Sequence, residues 1–408
     1  MLGWVCFAAL GGAAQQARPM DPIVEFTEVD TVATSAYVVT STVHERDGKY
    51  FLYAGGGKSE LAAFSIGREG RLTPIASYTL WKGEKRAGPA RGLVTATVAG
   101  TEYLFVGNKF GNAVEVHRIK TDGSLERVFV VEDTHLTHLG VVITLEVVQI
   151  DNASFLLVGG LEKEPGLTSF LINADGSLQH VQSMKDSPEI FTDGIIGMAK
   201  YTIGSHTFLV TGGFQDSGVS SFEIHRDGTF TNISNVGDDL RRFLNGAYPV
   251  EGITLGKENF VIVGHRHHRY YTRNGFIKDP DFVYHGNGVT VFKLDRFGRL
   301  KIQSVLGGGS GINIAGQTQI QSLKLSEDRA LVLIATKDGK SVQAGVLDGQ
   351  GTLVPAGYET LDFGIYYAMS AVEIGERYFV IVGSTDDPRI KSYEVNFKTE
   401  ISEKVVKK

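Results

Sequence analysis

Imidazole, phenol and guanidinium groups are concentrated in one segment of the chain, residues 264–286. The segment holds four of the eleven histidines, three arginines and three tyrosines: His265, His267, His268, His285, Arg266, Arg269, Arg273, Tyr270, Tyr271 and Tyr284. A histidine or tyrosine can transfer a proton while an arginine neutralises a carboxylate, which is the chemistry of β-elimination from a uronic acid polymer. The candidate acids and bases are His265, His267, Tyr270 and Tyr284. The candidate ligand contacts are His268, Arg269 and Tyr271 in this segment, together with His135 and His138 in the segment 133–138.

Two of these histidines have the spacing of paired metal ligands. His265 and His267 are two residues apart, so on an extended strand both side chains face the same side. A zinc ion or a similar divalent metal needs at least one more ligand, which His285 or the pair His135 and His138 could supply. The other interpretation is that the rings pack and hydrogen-bond within an ordered lid, because His-x-His is a short motif with little specificity.

Two further segments concentrate positive charge. Lys82, Lys85, Arg86 and Arg91 form one cluster, and Arg241 and Arg242 form the other. Such groups favour a carboxylated, sulfated or phosphorylated ligand, so Arg91 and Arg242 are candidate anion contacts. Solvated surface charge is the alternative interpretation.

The elements that must position these residues are short strands in a repeat. Apolar runs ending in glycine recur at a spacing of roughly 50 residues, which is typical of propeller blades. Their glycines are Gly55, Gly107, Gly159, Gly212, Gly264 and Gly383, and residues 331–335 are a variant run. Each run is followed by an alternating strand, a tight turn such as Asp175-Gly176 or Asp227-Gly228, and another strand. Each repeat therefore has four strands.

The two ends of the chain each carry part of one repeat. Residues 390–395 form a third strand that is followed by the charged tail 398–408, and residues 23–31 form a fourth strand without the preceding three. Pairing them completes a blade and removes open sheet edges. The predicted fold is all-β: a seven-bladed β-propeller over residues 21–397, with four-stranded antiparallel blades and a ring closed by the N-terminal strand joining the C-terminal blade.

In such a ring, the loops between second and third strands and the connections between blades surround one mouth of the central channel. A glycine precedes the first strand of most repeats: Gly92, Gly140, Gly194, Gly246, Gly316 and Gly364. The residues ahead of them are predicted to ring the channel entrance. Two of these residues are candidate ligand contacts, the acidic Asp193 and the uncharged Asn245. Tyr366 in the last blade is a third candidate. For Tyr366, packing is an equal alternative to stacking on a sugar ring.

Composition excludes several classes of partner. The net charge of −6 and the pI of about 6.0 argue against a nucleic-acid ligand bound through a broad basic surface. Cys6 is the only cysteine, so neither an intrachain disulfide nor a disulfide-linked partner is expected. Within residues 1–20, the stretch from Met1 to Ala14 is apolar and ends in Gly12-Ala13-Ala14, as in a signal peptide, which predicts a secreted or periplasmic protein. A disordered terminus or a start at Met20 is the alternative, and no later run approaches the ~18 apolar residues of a membrane span.

The unit from Thr95 to Leu125 resembles propeller repeats of secreted bacterial proteins, some of which carry RTX-type sequences. Asp238-Asp239 followed by Leu244-Asn245-Gly246-Ala247 is similar to the blade connection of that family, and the resemblance covers residues 23–396. The chain is more distantly similar to seven-bladed lactonase-like propellers. Neither resemblance transfers a catalytic residue. The calcium-binding nonapeptide of RTX proteins is absent from the sequence, so the resemblance does not imply RTX-type calcium binding.

Three function classes remain open from the sequence. The first is a secreted protein that binds an anionic small molecule or glycan at the channel mouth. The second is an enzyme at the same mouth, either a polysaccharide lyase or a lactonase-like hydrolase that activates water with a metal or a His/Asp base. The third is a scaffold for protein interactions.

Overall fold

The computed structural model describes residues 24–82, 88–161, 165–239, 242–266, 270–272, 275–277, 288–307, 314 and 316–398. These residues form a ring of seven four-stranded antiparallel sheets, so the predicted seven-bladed β-propeller is confirmed. The described part of the chain contains no helix with the length and hydropathy of a membrane span.

The strands follow the chain blade by blade. Blades 1 and 2 comprise β2 (Val38–Arg46), β3 (Lys49–Gly56), β4 (Glu60–Ile66), β5 (Leu72–Thr79), β6 (Ala90–Val98), β7 (Thr101–Asn108), β8 (Ala113–Ile119) and β9 (Leu125–Glu132). Blades 3 and 4 comprise β10 (Val142–Ile150), β11 (Ala153–Gly160), β12 (Gly166–Ile172), β13 (Leu178–Lys185), β14 (Ile195–Ile203), β15 (His206–Gly213), β16 (Gly218–Ile224) and β17 (Phe230–Gly237).

Blade 5 comprises β18 (Ala247–Leu255), β19 (Glu258–His265), β22 (Gly288–Leu294) and β23 (Leu300–Gly307). Between its second and third strands lies a two-stranded hairpin of β20 (Tyr270–Thr272) and β21 (Gly275–Ile277). Blades 6 and 7 comprise β24 (Gln317–Lys324), β25 (Arg329–Thr336), β26 (Ser341–Asp348), β27 (Leu353–Thr360), β28 (Ile365–Ile374), β29 (Arg377–Ser384), β30 (Arg389–Phe397) and β1 (Val24–Ala33).

The ring closes through both ends of the chain, as predicted. β1 pairs antiparallel with β30 along its whole length, from Val24 opposite Phe397 to Ala33 opposite Arg389. The strand from the N-terminus is therefore the outermost strand of blade 7, and the third strand of that blade is not left as an open edge.

Burial explains why the middle strands are apolar throughout. In β7 every residue from Tyr103 to Asn108 is buried, because neighbouring blades cover both faces of the sheet. Each of the seven gaps between blades is filled by its own apolar cluster. The outermost strands alternate instead, as in β23, where partly buried and exposed positions follow one another from Leu300 to Val305.

The innermost strand of every blade has a β-bulge where it enters the channel. In blades 1 to 6 the bulge adds one residue, as between Ile195 and Gly197 in blade 4. In blade 7 it adds two, because the pairs Ile365–Ser384 and Met369–Val382 enclose three residues on β28 and one on β29. At this wider bulge β28 approaches blade 1, where Thr40 and Tyr367 form a parallel bridge. A β-bulge changes the direction of its strand, and bulges are common next to functional sites.

The entry glycines do not share one register, which corrects the sequence alignment. Gly194 and Gly246 have positive φ and directly precede β14 and β18. In blade 3 the same position is Val141, with φ of 54° in the left-handed region, and Gly140 stands one residue earlier. Gly92 lies within β6 and forms its bulge. A β-branched residue at positive φ is strained, so the surrounding packing must hold Val141 in place.

Candidate functional site

The first strands of all seven blades enclose a central channel with a volume of about 280 Å³. Its polar wall comprises Thr40, Ser41, Thr42, Thr144, Glu146, Glu251, Gln319, Gln321 and Ser370. None of the described residues predicted to ring the entrance, Arg91, Leu139, Asp193, Asn245 and Phe363, is among the residues that line it. They lie higher, where the blade connections enter.

Three of those connections are built alike, each around an aspartate that follows the outermost strand. Asp133 accepts a hydrogen bond from the Leu139 amide at 3.1 Å. Asp238 accepts one from the Leu244 amide at 2.8 Å. In both loops the acceptor and donor are six residues apart, so the carboxylate braces the loop and holds the backbone that leads into the next blade.

The equivalent loop of blade 4 brings three carboxylates together. Asp186 accepts a hydrogen bond from the Thr192 hydroxyl at 2.9 Å, and the Asp193 amide donates to Asp216 at 2.7 Å. One carboxylate oxygen from each of Asp186, Asp193 and Asp216 lies within 4.8 Å of the others. We call these three residues the blade 4 carboxylates. All are partly exposed, so a small molecule at the mouth can reach them.

Like charges at this distance cannot all stay ionised. Partial burial and then the neighbouring charges of Asp186 and Asp193 raise the pKa of Asp216 to about 7, although the Asp193 amide acts in the opposite direction. The group therefore exchanges a proton near neutral pH, as a general base must. A divalent cation is the other species that balances three clustered carboxylates.

Blade 4 differs in this respect from the neighbouring blades. By strand register, Asp193 corresponds to Asn245 in blade 5 and to Gly140 in blade 3. Asn245 is 3% exposed, and neither polar atom of its side-chain amide has a hydrogen-bond partner among the described residues. The next amide, at Gly246, donates to Ser217, which follows Asp216 in the chain. An unpaired buried amide therefore lies in the connection adjoining the blade 4 carboxylates, and such groups require an explanation.

An aromatic cluster adjoins the carboxylates on the other side. Phe214, two residues before Asp216, packs edge-on against Tyr248 with ring centroids 5.4 Å apart. Arg266 lies over the Tyr248 ring at 4.4 Å. Phe214 and Tyr248 belong to a separate apolar cluster at the mouth, which also contains the strained Val141. The mouth across blades 3 to 5 thus combines carboxylates, an aromatic wall and a guanidinium group.

The histidines and arginines singled out in the sequence occupy different environments. His265 ends β19, pairs with Ala247 and is 1% exposed, so it is part of the blade interior. His135 is exposed and His138 is partly buried, both in the connection after blade 2. Arg91 is buried in β6, whereas Arg242 forms an ion pair with Asp239 at 2.9 Å and also donates to the Gly237 carbonyl.

The remaining predicted residues are not described as side chains. His267, His268, Arg269, Tyr284 and His285 lie outside the described residues, as do Lys85, Arg86 and Arg241. For Tyr270 and Tyr271 on β20, and for Tyr366 on β28, only the strand position is described. The His265–His267–His285 metal site therefore stays a prediction.

Sequence reasoning missed a buried charged network in blade 2. Glu115 is fully buried and accepts hydrogen bonds from the Trp81 amide at 2.8 Å and the Asn108 amide group at 3.2 Å. His117 lies 3.3 Å from the same carboxylate, and Arg127 lies 3.4 Å from it. Burial opposes the charge, but the His117 contact and the other donors hold the pKa of Glu115 below its usual value. This network fixes the connection into blade 2 and is structural.

Comparison with known proteins supports the fold and leaves the family open. No protein-family model matches the chain, and no curated protein matches it. Among solved structures, a Bacteroides fragilis protein assigned as a 6-phosphogluconolactonase is 17% identical, with a TM-score of 0.57 over 79% of this chain and 84% of that chain. The periplasmic gluconolactonase PpgL of Pseudomonas aeruginosa is 15% identical, with a TM-score of 0.58 over 79% and 85%.

Saccharomyces cerevisiae Sqt1 also matches, at 12% identity and a TM-score of 0.54 over 90% of this chain and 99% of that chain. None of these neighbours supports the resemblance to repeats of RTX-type proteins. The chain is a seven-bladed β-propeller whose neighbours among solved structures include lactonase-like propellers.

Proposed function

We propose that this protein is a lactonase-like hydrolase that opens a small lactone at the channel mouth, with Asp216 as the base. The observation that carries the proposal is the convergence of Asp186, Asp193 and Asp216 at one point of that mouth. Lactone hydrolysis needs one activated water molecule, and a carboxylate that exchanges its proton near neutral pH can activate it.

The chemistry balances with the groups present. Asp216 removes a proton from water, and the water oxygen bonds to the lactone carbonyl carbon. The ring C–O bond then breaks, and the proton passes from Asp216 to the departing alkoxide, so that lactone and water give one hydroxy acid. The Asp193 amide, which donates to Asp216 at 2.7 Å, fixes the orientation of the base.

Binding groups for such a ring are present beside the base. The Asn245 amide group, which has no hydrogen-bond partner among the described residues, can hold a substrate hydroxyl or carbonyl. Two neighbours are described as lactonases for sugar acids, which is consistent with this substrate class, although at this identity the likeness carries the fold alone.

The proposal sets aside the anion-binding hypothesis for one reason. The anion contact Arg242 is already paired with Asp239, while the described carboxylates of blade 4 would repel an anion beside them. An uncharged lactone meets no such repulsion, and its hydroxyl groups can donate to the carboxylates.

The test is hydrolysis of glucono-1,5-lactone and γ-butyrolactone, followed by acid release above the uncatalysed rate. Asp216→Asn keeps the shape of the side chain but removes the base, and we expect kcat/KM to fall by roughly 100-fold. Asp227→Asn is the matched control, since Asp227 lies in the hairpin at the opposite end of the same blade and braces Thr229. Equal activity in both variants, or no activity on either lactone, would contradict the proposal.

Export is part of the same proposal and is tested separately. The apolar N-terminal residues are consistent with a secreted or periplasmic protein, and PpgL is described as periplasmic. Fractionation of cells that express the full chain, with N-terminal sequencing of the product, checks cleavage near residue 20.

A further inference from the structure

The central channel is polar and carries acid groups that the proposed hydrolysis does not use. Its wall includes two glutamates and two glutamines, together with serine and threonine hydroxyls, and the described residues that line it include no lysine, arginine or histidine. None of the blade 4 carboxylates lines it either. The channel is therefore a separate chemical environment below the mouth.

Glu251 is held so that only part of its carboxyl group is engaged. The Ser322 amide and hydroxyl, in the next blade, donate to the same oxygen, Oε1, at 3.0 and 2.6 Å. Within the described residues the other oxygen makes no hydrogen bond, and Glu251 lines the channel. The Ser322 contacts thus fix the side chain in position, and Oε2 has no partner among the described residues.

Glu146 is arranged in the same way on the other side of blade 4. Its Oε1 accepts hydrogen bonds from the Val147 amide at 3.0 Å and from Lys200 at 2.9 Å. The Lys200 ammonium group also donates a hydrogen bond to the Val147 carbonyl, and this second contact holds it beside Glu146. Glu146 lines the same channel as Gln319 and Gln321, whose side chains are uncharged amides.

From this arrangement we propose that the channel binds one small, uncharged, polyhydroxylated molecule, with its hydroxyl groups hydrogen-bonded to Glu251, Glu146, Gln319 and Gln321. Fixed carboxyl and amide groups that alternate donors and acceptors are the usual partners of sugar and polyol hydroxyls. A channel of about 280 Å³ holds a molecule of one ring and no polymer. This site goes beyond the proposed hydrolase and does not depend on it.

Charge argues against the other ligand classes. An anion would meet two glutamates, and the part of the channel wall that the structure describes contains no cationic residue. A bound metal ion requires ionised ligands, but burial, with a smaller effect of the Glu146 charge, raises the pKa of Glu251 to about 7. A raised pKa favours the protonated carboxyl, which can donate as well as accept a hydrogen bond.

Substitutions at Glu251 separate a polyol from a cation. Glu251→Gln keeps an uncharged donor and acceptor, and its oxygen can still accept from Ser322. Glu251→Leu fills the space with an apolar side chain and removes both the donor and the acceptor. The probes are D-glucose, D-glucitol and myo-inositol, and calcium chloride is titrated in parallel by calorimetry against the full chain.

We expect at least one of the three polyols to bind in a saturable manner. Affinity should change by less than about threefold in Glu251→Gln and fall by roughly tenfold or more in Glu251→Leu and in Gln321→Leu. Thermal unfolding of each variant shows whether the ring is intact, and Asp216→Asn serves as a folded control that should bind the polyol normally.

Three outcomes would overturn the inference. The first is that none of the three polyols binds. The second is that Glu251→Leu binds as well as the native chain. The third is calcium binding that is lost in Glu251→Gln, which would assign the channel to a cation. Because lactone hydrolysis is measured on Asp216 variants, failure here leaves the proposed function untouched.

Discussion

Gly228, in the hairpin between the third and fourth strands of blade 4, lies directly against the ring of Phe155 in blade 3. A Cβ atom added to Gly228 would overlap that ring, and the glycine has φ of 81°. The Gly228 carbonyl also accepts a hydrogen bond from Ser169 of blade 3 at 2.8 Å. One turn thus closes its own hairpin and docks onto the preceding blade.

The same contact recurs around the ring. Five other hairpin glycines face an aromatic residue of the preceding blade: Gly70 with Phe379, Gly123 with Phe51, Gly176 with Tyr103, Gly298 with Phe208, and Gly351 with Phe260. The seventh position is Leu331 in blade 6. It precedes blade 7, whose third and fourth strands come from opposite ends of the chain, so no hairpin is there to dock. The exception in the sequence repeat matches the point of ring closure.

The first prediction compares two glycines of blade 4. Gly204, in the hairpin between the first two strands, also has positive φ, at 63°, but nothing lies within 4 Å of its added Cβ. Gly204→Ala should therefore carry only backbone strain of about 1 kcal/mol. Gly228→Ala should cost about 2 kcal/mol more, because the methyl group also displaces Phe155. Urea unfolding of the two variants measures the difference, and equal midpoints would show that the contact contributes nothing.

These contacts explain why the fold was predictable. The spacing of Phe155, Gly159 and Gly228 reflects packing that repeats in every blade, so one repeat supports the next. The closure was also predictable, since the incomplete repeats at the two ends could satisfy their edges only through each other.

The site was much less predictable from sequence. Asp193 was selected from its place before Gly194, but Asp186 and Asp216 were not, because they meet it only through loops that lie 7 and 23 residues away in the chain. Asp133, Asp186 and Asp238 recur at a regular spacing, which the sequence alone could have revealed. The spacing identifies aspartates that stabilise the loops between blades, and it does not identify a site. Blade 4 differs because the tertiary structure brings three carboxylates together, and no local sequence pattern predicts such a cluster.

The second prediction concerns Asn108, which occupies in blade 2 the strand-end position of His265 in blade 5. Its buried amide group donates to the Trp81 carbonyl and accepts from the Gly88 amide, at 2.9 and 3.1 Å. Asn108→Ala leaves these buried groups unpaired, so we expect a loss of about 3 kcal/mol in the free energy of unfolding. It should also increase proteolysis of the connection before β6.

Asn235→Ala is the control for this experiment, because Asn235 is exposed and, within the described residues, its side chain hydrogen-bonds with Asn232 alone. We expect it to change stability by less than about 0.5 kcal/mol. If Asn108→Ala unfolded at the same denaturant concentration as this control, the anchoring role of Asn108 would be disproved.

The third prediction is a pH dependence of stability from Glu251. Its folded-state pKa is about 7, above the ordinary value of 4.5, so folding takes up a proton between these values. Stability should therefore decrease as pH rises from about 4.5 to 7, by up to roughly 3 kcal/mol from this group. Glu251→Gln cannot ionise and should flatten the curve in that window. Thermal unfolding from pH 4.5 to 8 measures both, and parallel curves would contradict the assignment.

The fourth prediction tests ring closure. Removing residues 1–33 deletes β1 and exposes the edge of β30, together with the apolar cluster that Val24 covers. An unpaired strand edge of this length promotes association, so the shortened chain should aggregate or form oligomers in light scattering. Removing residues 1–20 leaves β1 intact and is the control. A monomeric shortened chain with native thermal stability would show that the closing strand is dispensable.

The last prediction is the pH profile of lactone hydrolysis. If Asp216 is the base, only its ionised form activates water, so kcat/KM should rise with pH and level off above the pKa of about 7. Asp186→Asn removes one neighbouring charge, which should move the midpoint to lower pH while the plateau stays within about threefold. The enzyme-free rate must be subtracted at each pH, because hydroxide also opens lactones. A structural role for Asp186 would change the plateau and leave the midpoint in place, so a fixed midpoint would contradict the proposed coupling of the blade 4 carboxylates.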